Sequence, residues 1–287
     1  MSTAPEGGAS PDAQSSGLAA GSAVGSAAFA DVRGHRVHFA VRGCGPPLLL
    51  IMGIGGHLEM WRPLVSELRD FQTIVFDMPG SGRSPTPRTP MRLGQLAGVV
   101  EGLLDHLGVA QVDVLGFSYG GFVAQQLARQ DGPRVRRVVL AATSAGALSV
   151  PPPAYNIVRM MTPARYSSEG CFRTVAPSLY GGRIARDAAV LDAHFADRKA
   201  QPPSMGGYLS QLYSAWGWSS LPWLWRLRQP ALVIAGADDR LVHVANARAL
   251  AALLPDARLH VVAGAGHLLL LDQAAEVAPV IARFLSS

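Results

Sequence analysis

The sequence has little lysine and no concentrated basic segment. Lys199 is the single lysine, so arginine supplies 24 of the 25 basic residues, and the formal net charge is +5. The tightest group of arginines is Arg134, Arg136 and Arg137, and the others are scattered along the chain. A nucleic-acid surface usually shows a clustered basic patch or stripe. Since no such stripe with interleaved aromatic residues is present, we do not expect a nucleic-acid partner.

Cysteines and long apolar runs are scarce too. Cys44 and Cys171 lie far apart, which is no disulfide framework, and we expect both to be free thiols in a reducing compartment. No apolar run approaches the roughly 18 residues of a membrane span. The first basic residue, Arg33, comes too late for the charged start of a secretory signal. These absences predict a cytoplasmic protein without a transmembrane segment.

Motifs for metals and cofactors are also missing from the sequence. The histidines form no His-Glu-x-x-His pattern, and the two cysteines are not spaced as a pair of metal ligands. The glycine-rich loop Gly53–Gly56 lacks the Gly-Lys-Ser/Thr and Gly-x-Gly-x-x-Gly patterns that cradle phosphates. The sequence therefore predicts neither a metal nor a cofactor.

Charged residues make up only 16% of the chain and hydrophobic residues 49%, which is typical of a globular protein. Apolar and polar residues alternate over His35–Val41, and Leu48–Met52 is wholly apolar, as in a strand covered on both faces. Predicted helices and strands then alternate, so we expect an α/β fold, a mostly parallel sheet with helices on both faces. Residues 1–30 are rich in Ser, Gly and Ala and predict a disordered tail. The core would comprise residues 31–144 and 230–287.

Residues 145–229 interrupt this alternation. They open with Pro151–Pro153, are helical in parts and contain eleven of the twenty aromatic residues, among them Trp216, Trp218, Trp223 and Trp225. One interpretation is an insertion that packs its own small core. The other is a lid whose aromatic side chains line a cleft above the sheet. The two interpretations are compatible, because a lid also needs a core.

The pentapeptide Gly116–Gly120 carries the main functional signal. It reads Gly-Phe-Ser-Tyr-Gly, and it stands between a predicted strand and a predicted helix. A sharp strand-to-helix turn of this kind presents the central hydroxyl, here that of Ser118, above a sheet. Its strained backbone needs small residues two positions before and after the serine. The pentapeptide alone could occur by chance. Its position between a predicted strand and a predicted helix makes a chance match much less probable.

A serine hydroxyl needs a base and an orienting acid, which follow it along the chain in this architecture. His267 comes after the last predicted strand, within Gly264-Ala265-Gly266-His267, and is the expected base. Asp238 and Asp239 both follow the predicted strand at 232–235, so either could be the acid and the other a turn residue. We favour Asp239.

The oxyanion of acyl transfer needs fixed N–H donors. The residue after the nucleophile, Tyr119, is expected to supply one backbone N–H. A strand leads into the glycine-rich loop Gly53–Gly56, and the backbone N–H of Ile54 is the candidate for the second. The alternative interpretation of this loop is an ordinary glycine turn before a helix.

From residue 33 onward the chain resembles an α/β-hydrolase. The elbow Gly116–Gly120, the turn Asp77–Ser84, the acid loop Gly236–Arg240 and the pair Gly266-His267 occur in the order of that family. The resemblance implies that Asp239 is the catalytic acid and that Asp77 braces a loop.

A narrower resemblance is to the intracellular depolymerases of medium-chain-length polyhydroxyalkanoates. It rests on Met52–Leu64, Ala141–Gly146, Ser178–Gly182 and Trp216–Leu221. It implies a polyester of 3-hydroxyacids as substrate and contact with a polyester granule surface. We expect His57, Trp216 and Trp218, which lie in these segments, to contact the substrate. Tyr119 departs from the pattern, since tryptophan is expected after the nucleophile in that group.

These observations predict a serine ester hydrolase that works through an acyl-enzyme, resembling a poly(3-hydroxyalkanoate) depolymerase. One alternative is an esterase, thioesterase or cyclase that uses the same triad on a small metabolite. A second is a dehalogenase or epoxide hydrolase, which uses a carboxylate nucleophile, and Ser118 argues against it. A third is a non-catalytic ligand receptor on a hydrolase fold.

Overall fold

Eight strands form one sheet in the part of the chain that the structure describes. The structure is a computed structural model, and it describes residues 27–161 and 163–287. The strands are β1 (Ala28–Val32), β2 (His35–Arg42), β3 (Pro47–Ile51), β4 (Gln72–Phe76), β5 (Val112–Phe117), β6 (Val135–Ala141), β7 (Ala231–Gly236) and β8 (Ala257–Val262). Their order in the sheet is β1-β2-β4-β3-β5-β6-β7-β8. Strands β1 and β2 are antiparallel to their neighbours, and β3 to β8 run parallel.

Helices cover both faces of this sheet, which confirms the predicted mostly parallel α/β architecture. In β3, Leu48 and Leu50 face one core and Leu49 and Ile51 face the other, as the two-residue period of a strand requires. The helices are α1 (Arg62–Glu67), α2 (Leu93–His106), α3 (Tyr119–Gln130), α4 (Ala154–Met160), α5 (Glu169–Tyr180), α6 (Ala188–Ala200), α7 (Met205–Ala215), α8 (Val244–Leu253), α9 (Leu269–Asp272) and α10 (Ala274–Leu285).

The first strand corrects one predicted boundary. Strand β1 begins at Ala28, three residues inside the segment 1–30 that we expected to be a disordered tail. Arg33 and Gly34 join β1 to β2 with φ values of 48° and 78°, and this two-residue turn suits the twist of a hairpin. Ala30 and Val32 are buried against the sheet. Residues 1–26 of the expected tail lie outside the described residues.

The segment between β6 and β7 forms the helical insertion, which we define as α4 to α7 with their connections. Side chains at the helix starts cap the exposed backbone N–H groups: Ser168 caps α5, Asp187 caps α6 and Ser204 caps α7. Phe172 and Leu179 of α5 are fully buried in the same core as α1 and α10. The insertion therefore packs on the sheet, and its role as a lid stays a prediction.

Across residues 27–161 and 163–287, no helix has both the length and the apolar character needed to cross a membrane.

Candidate active site

Ser118 lies in the sharp turn that joins β5 to α3. Its φ of 54° and ψ of −118° fall in a region that non-glycine residues rarely adopt. A Cβ atom on Gly116 would lie 2.5 Å from the carbonyl oxygen of Gly120, and a Cβ atom on Gly120 would overlap the carbonyl of Ile51. Both glycines are therefore required for the turn, and the turn holds the serine hydroxyl at the carboxyl edge of the sheet.

His267 connects Ser118 to Asp239. The imidazole Nε2 is 2.9 Å from Ser118 Oγ, and Nδ1 is 2.9 Å from Asp239 Oδ2. A carboxylate can only accept hydrogen bonds, so Nδ1 carries the hydrogen and Nε2 is left as the acceptor of the serine proton. The backbone N–H groups of Leu241 and Val242 donate to Asp239 Oδ1, each at 2.8 Å. This arrangement can activate the hydroxyl of Ser118 as a nucleophile.

The two adjacent aspartates occupy different environments. The Asp239 side chain is fully buried beside His267. Asp238 is 42% exposed, and its Oδ2 accepts a hydrogen bond of 2.8 Å from Arg186. The structure therefore brings Asp239, and not Asp238, to the histidine.

The candidate oxyanion donors border the serine. A Cβ atom on Gly53 would lie 3.3 Å from Ser118 Cβ, which brings the loop after β3 against the nucleophile. Within residues 27–161 and 163–287, the backbone N–H groups of Ile54 and Tyr119 have no acceptor. Two unfilled donors beside the hydroxyl are what a developing oxyanion requires.

Side chains of the helical insertion hold this loop. Gln211 on α7 is 2% exposed, and its Oε1 accepts a hydrogen bond of 2.8 Å from the N–H of Gly55. The Tyr166 hydroxyl donates to the carbonyl oxygen of Ile54 at 3.1 Å. Both hydrogen bonds hold the same peptide group, the one between Ile54 and Gly55 that directly follows the Ile54 donor.

The Tyr119 side chain forms a further link to α7. Its hydroxyl is 2.6 Å from Ser214 Oγ, and the Ser214 hydroxyl donates to the carbonyl oxygen of Gln211. The Tyr119 hydroxyl is therefore the donor to Ser214. Burial raises the pKa of Tyr119, and the hydrogen bond with Ser214 opposes this only in part. Tyr119 thus acts as a neutral phenol that ties the elbow to the insertion.

Tyr180 packs directly on the histidine. Its ring is stacked on that of His267, with centroids 6.1 Å apart and planes at 16°, and its carbonyl oxygen accepts from the N–H of His267 at 2.8 Å. Phe117 covers the imidazole with a centroid distance of 5.3 Å. These contacts limit the rotation of the imidazole ring.

The tryptophans predicted to contact substrate lie elsewhere. Trp216 is 74% exposed, and Trp218 stacks on Phe122 of α3 and donates to Gln126 Oε1. The structure brings neither indole to the triad, and their contact with the substrate stays a prediction. His57 is buried directly after the glycine-rich loop Gly53–Gly56, which we call the oxyanion loop, and its Nε2 contacts the carbonyl oxygen of Asp197 on α6.

Sequence reasoning missed three residues of this site, namely Tyr166, Tyr180 and Gln211. Tyr166 reaches the site from a short 3₁₀ turn at 163–166, Tyr180 from the end of α5 and Gln211 from α7. Tyr180 lies in Ser178–Gly182, one of the segments that carried the narrower resemblance, and this was the available signal. No local spacing indicated Tyr166 or Gln211.

Comparisons with known proteins identify the family and the fold. A family model described as alpha/beta hydrolase fold matches residues 46–274. A poly(3-hydroxyalkanoate) depolymerase from Ectopseudomonas oleovorans is 42% identical over 240 residues, covering 83% of this chain and 84% of the relative. The enol-lactonase from Burkholderia xenovorans superposes with a TM-score of 0.78 at 28% identity, covering 91% of this chain and 100% of that chain. A thermophilic esterase from Thermogutta terrifontis gives 0.78 at 26% identity, with coverages of 91% and 98%.

Proposed function

Because the chain belongs to the α/β-hydrolase fold family, as its sequence motifs predicted, we propose that it is a serine ester hydrolase that works through an acyl-enzyme. The observation that carries this proposal is His267, which lies 2.9 Å from both the Ser118 hydroxyl and the Asp239 carboxylate. The carboxylate nucleophile of the rival reactions on this scaffold is not found at the elbow, because residue 118 is serine.

The proposed reaction has two halves. Ser118 Oγ attacks the ester carbonyl carbon while His267 Nε2 takes the hydroxyl proton, and the N–H groups of Ile54 and Tyr119 bind the oxyanion. The C–O bond then breaks, and the alcohol leaves with the proton from His267. Water attacks the acyl-enzyme and gives its proton to His267, which returns it to Ser118 as the acid leaves. Asp239 holds the imidazole and stabilises its charged form.

The substrate we propose is a poly(3-hydroxyalkanoate) or an oligomer of it. The support for this class is the 42% identity to the Ectopseudomonas oleovorans depolymerase, which extends over most of both chains. A small ester or lactone is the second candidate, because the enol-lactonase superposes over 91% of this chain. Contact with a polyester granule and a cytoplasmic location stay predictions.

Substitution of the nucleophile tests the mechanism. Ser118→Ala should lower turnover of a 4-nitrophenyl ester at least ~10³-fold, as in other triads that lose the nucleophile. Labelling with a fluorophosphonate should also disappear in this variant. Near-normal hydrolysis by Ser118→Ala would exclude the proposed mechanism, and an unreactive wild-type protein would favour a non-catalytic receptor.

A rate comparison tests the substrate class. Purified protein would be assayed on 4-nitrophenyl esters of rising chain length and on a film of poly(3-hydroxyoctanoate). Clearing of the film with a preference for medium chains is the expected result. Good ester turnover on an intact film would instead move the substrate to a small ester or thioester.

A further inference from the structure

Arg198 on α6 is a buried cation with unfilled hydrogen-bonding capacity. The residue is 6% exposed, and its Nε is buried without a hydrogen-bond partner. No described residue accepts a hydrogen bond from the guanidinium or places a carboxylate against it. Its neighbours are the ring faces of Tyr166, Phe172 and Tyr180, with centroid distances of 5.4, 5.8 and 5.1 Å. Buried charges are normally paired with an opposite charge or an acceptor, whereas the described residues surround this guanidinium with ring faces.

Arg165, another buried arginine of the same insertion, has hydrogen-bond acceptors around its guanidinium. Arg165 is 2% exposed, and its Nη2 donates to the hydroxyls of Tyr166 and Tyr208 at 3.1 and 2.8 Å. Its Nη1 donates to the carbonyl oxygens of Arg159 and Met160. The insertion therefore supplies acceptors to a guanidinium that has a structural role. The absence of such acceptors at Arg198 is specific to that position.

Arg198 is separated from the reacting groups by single aromatic rings. The Tyr180 ring that it faces is stacked on the His267 imidazole. The Tyr166 ring that it faces carries the hydroxyl bonded to the carbonyl oxygen of Ile54. Arg198 is therefore one aromatic ring away from the catalytic histidine and one aromatic ring away from the Ile54 peptide.

The electrostatic surroundings of Arg198 favour an anion. Burial, then the charges of Arg198 and Arg183, lower the pKa of His194 to about 3. Burial opposes ionisation of Tyr180, but the charges of Arg198 and Arg165 outweigh it and lower the pKa of that phenol. The positive charge of Arg198 contributes to both shifts, after burial in the case of His194.

His57 provides a second unfilled group. It is 3% exposed, and its Nε2 must donate to the carbonyl oxygen of Asp197, the residue before Arg198. In the neutral imidazole, Nδ1 is then an acceptor, and it is buried without a partner. Among the described residues, His57 Nδ1 is thus an acceptor and Arg198 Nε a donor without a partner, and the hydrogen bond from His57 to Asp197 links the two residues.

We propose that Arg198 binds the free carboxylate at the end of an ester substrate, with His57 accepting a hydrogen bond from a hydroxyl of the same molecule. This inference rests on the proposed function and specifies its substrate class as hydroxyacid oligomers or chain ends that carry a free carboxylate. A planar guanidinium matches a carboxylate with two parallel hydrogen bonds. The enzyme would therefore cleave terminal ester bonds in preference to internal ones.

Two soluble substrates that differ only at the terminus test the proposal. One is the linear dimer of 3-hydroxyoctanoate with its free carboxylate, and the other is the same dimer with a terminal primary amide. The kcat/KM for cleavage of the single ester bond would be measured for each. Wild-type protein should prefer the free acid by about 10- to 100-fold, the scale of a charge-assisted hydrogen bond.

The matched variants are Arg198→Met, Arg198→Lys and Arg173→Met. Arg198→Met should abolish the preference, expressed as the ratio of the two kcat/KM values, and Arg198→Lys should retain part of it through its charge. Arg173, an exposed arginine of α5 paired with Glu169 and Asp192, controls for loss of one positive charge. Arg173→Met should keep the wild-type ratio. If Arg198→Met does not fold, Arg198→Lys is the test variant, and its ratio of kcat/KM on the acid to kcat/KM on the amide should lie below that of the wild-type protein.

Each outcome decides the proposal. Equal rates of wild-type protein on the acid and the amide would overturn it, and so would a parallel loss on both substrates in the Arg198 variants, which indicates a packing role. Fluorophosphonate labelling of Ser118 is measured in every sample. Labelled wild-type protein without a preference refutes the carboxylate subsite alone, whereas unlabelled wild-type protein refutes the proposed function.

Discussion

The helical insertion should control the rate of the chemical step through Gln211. The substitution Gln211→Met keeps the side-chain volume but removes the acceptor of the Gly55 N–H and the donor to Ser81 Oγ, which lie at 2.8 and 2.5 Å. Leaving a buried N–H without a partner costs roughly 1–3 kcal/mol, which lowers Tm by several degrees in a domain of this size. Loss of one oxyanion donor costs about 10²- to 10³-fold in kcat. Because the variant displaces the Ile54 donor and does not delete it, we expect about a 10- to 100-fold fall.

Steady-state kinetics with a 4-nitrophenyl ester and a thermal melt would measure both effects. The kcat should fall while KM changes little, because the oxyanion forms only after binding. Gln211→Glu keeps an acceptor for Gly55 and should recover part of the kcat. Gln130→Met, at the exposed end of α3, is the control and should behave as wild type. A Gln211→Met variant with a lower Tm and wild-type kcat would refute the proposed positioning role.

Three further predictions concern the elbow, the acid and the pH dependence of stability. Gly120→Ala should abolish folding or soluble expression, because its Cβ would overlap the carbonyl of Ile51, and a soluble variant with a wild-type melt would contradict this. Asp239→Asn should lower kcat by about 10³- to 10⁴-fold, whereas Asp238→Asn should stay near wild type; equal losses would mean that the acid is wrongly assigned. Burial raises the pKa of Asp272 to about 6, so its contribution to stability falls as the pH rises through about 4 to 6. Asp272→Asn should therefore raise Tm at about pH 8 and change it little at about pH 4, and a melt without this pH dependence would be contrary evidence.

Features with a local backbone requirement were predictable from the sequence. The elbow needs glycine at positions 116 and 120, because a Cβ atom on Gly116 would meet the carbonyl of Gly120 and one on Gly120 would meet the carbonyl of Ile51 on the adjacent strand β3. The wholly apolar strands can also be recognised in the sequence, and so can the order of serine, aspartate and histidine along the chain. Strand β1 was not predicted because its five residues adjoin a Ser/Gly/Ala-rich segment. The signal for it in the sequence is the turn Arg33-Gly34, which joins β1 to β2.

Long-range contacts of the insertion were not predictable. Gln211 and Gly55 are 156 residues apart, and no sequence period relates two such positions. The number of aromatic residues indicated that the insertion packs closely but not which of its rings face the site. Tyr180 stacks on His267, whereas Trp218 packs beside α3.

Trapping the acyl-enzyme tests the central claim most directly. Protein quenched with acid during turnover of 4-nitrophenyl octanoate would be digested and mapped by mass spectrometry. We predict one octanoyl group on the peptide that contains Ser118, with none in Ser118→Ala. Full turnover without an adduct, or an adduct on another residue, would contradict a serine hydrolase built on Ser118, Asp239 and His267.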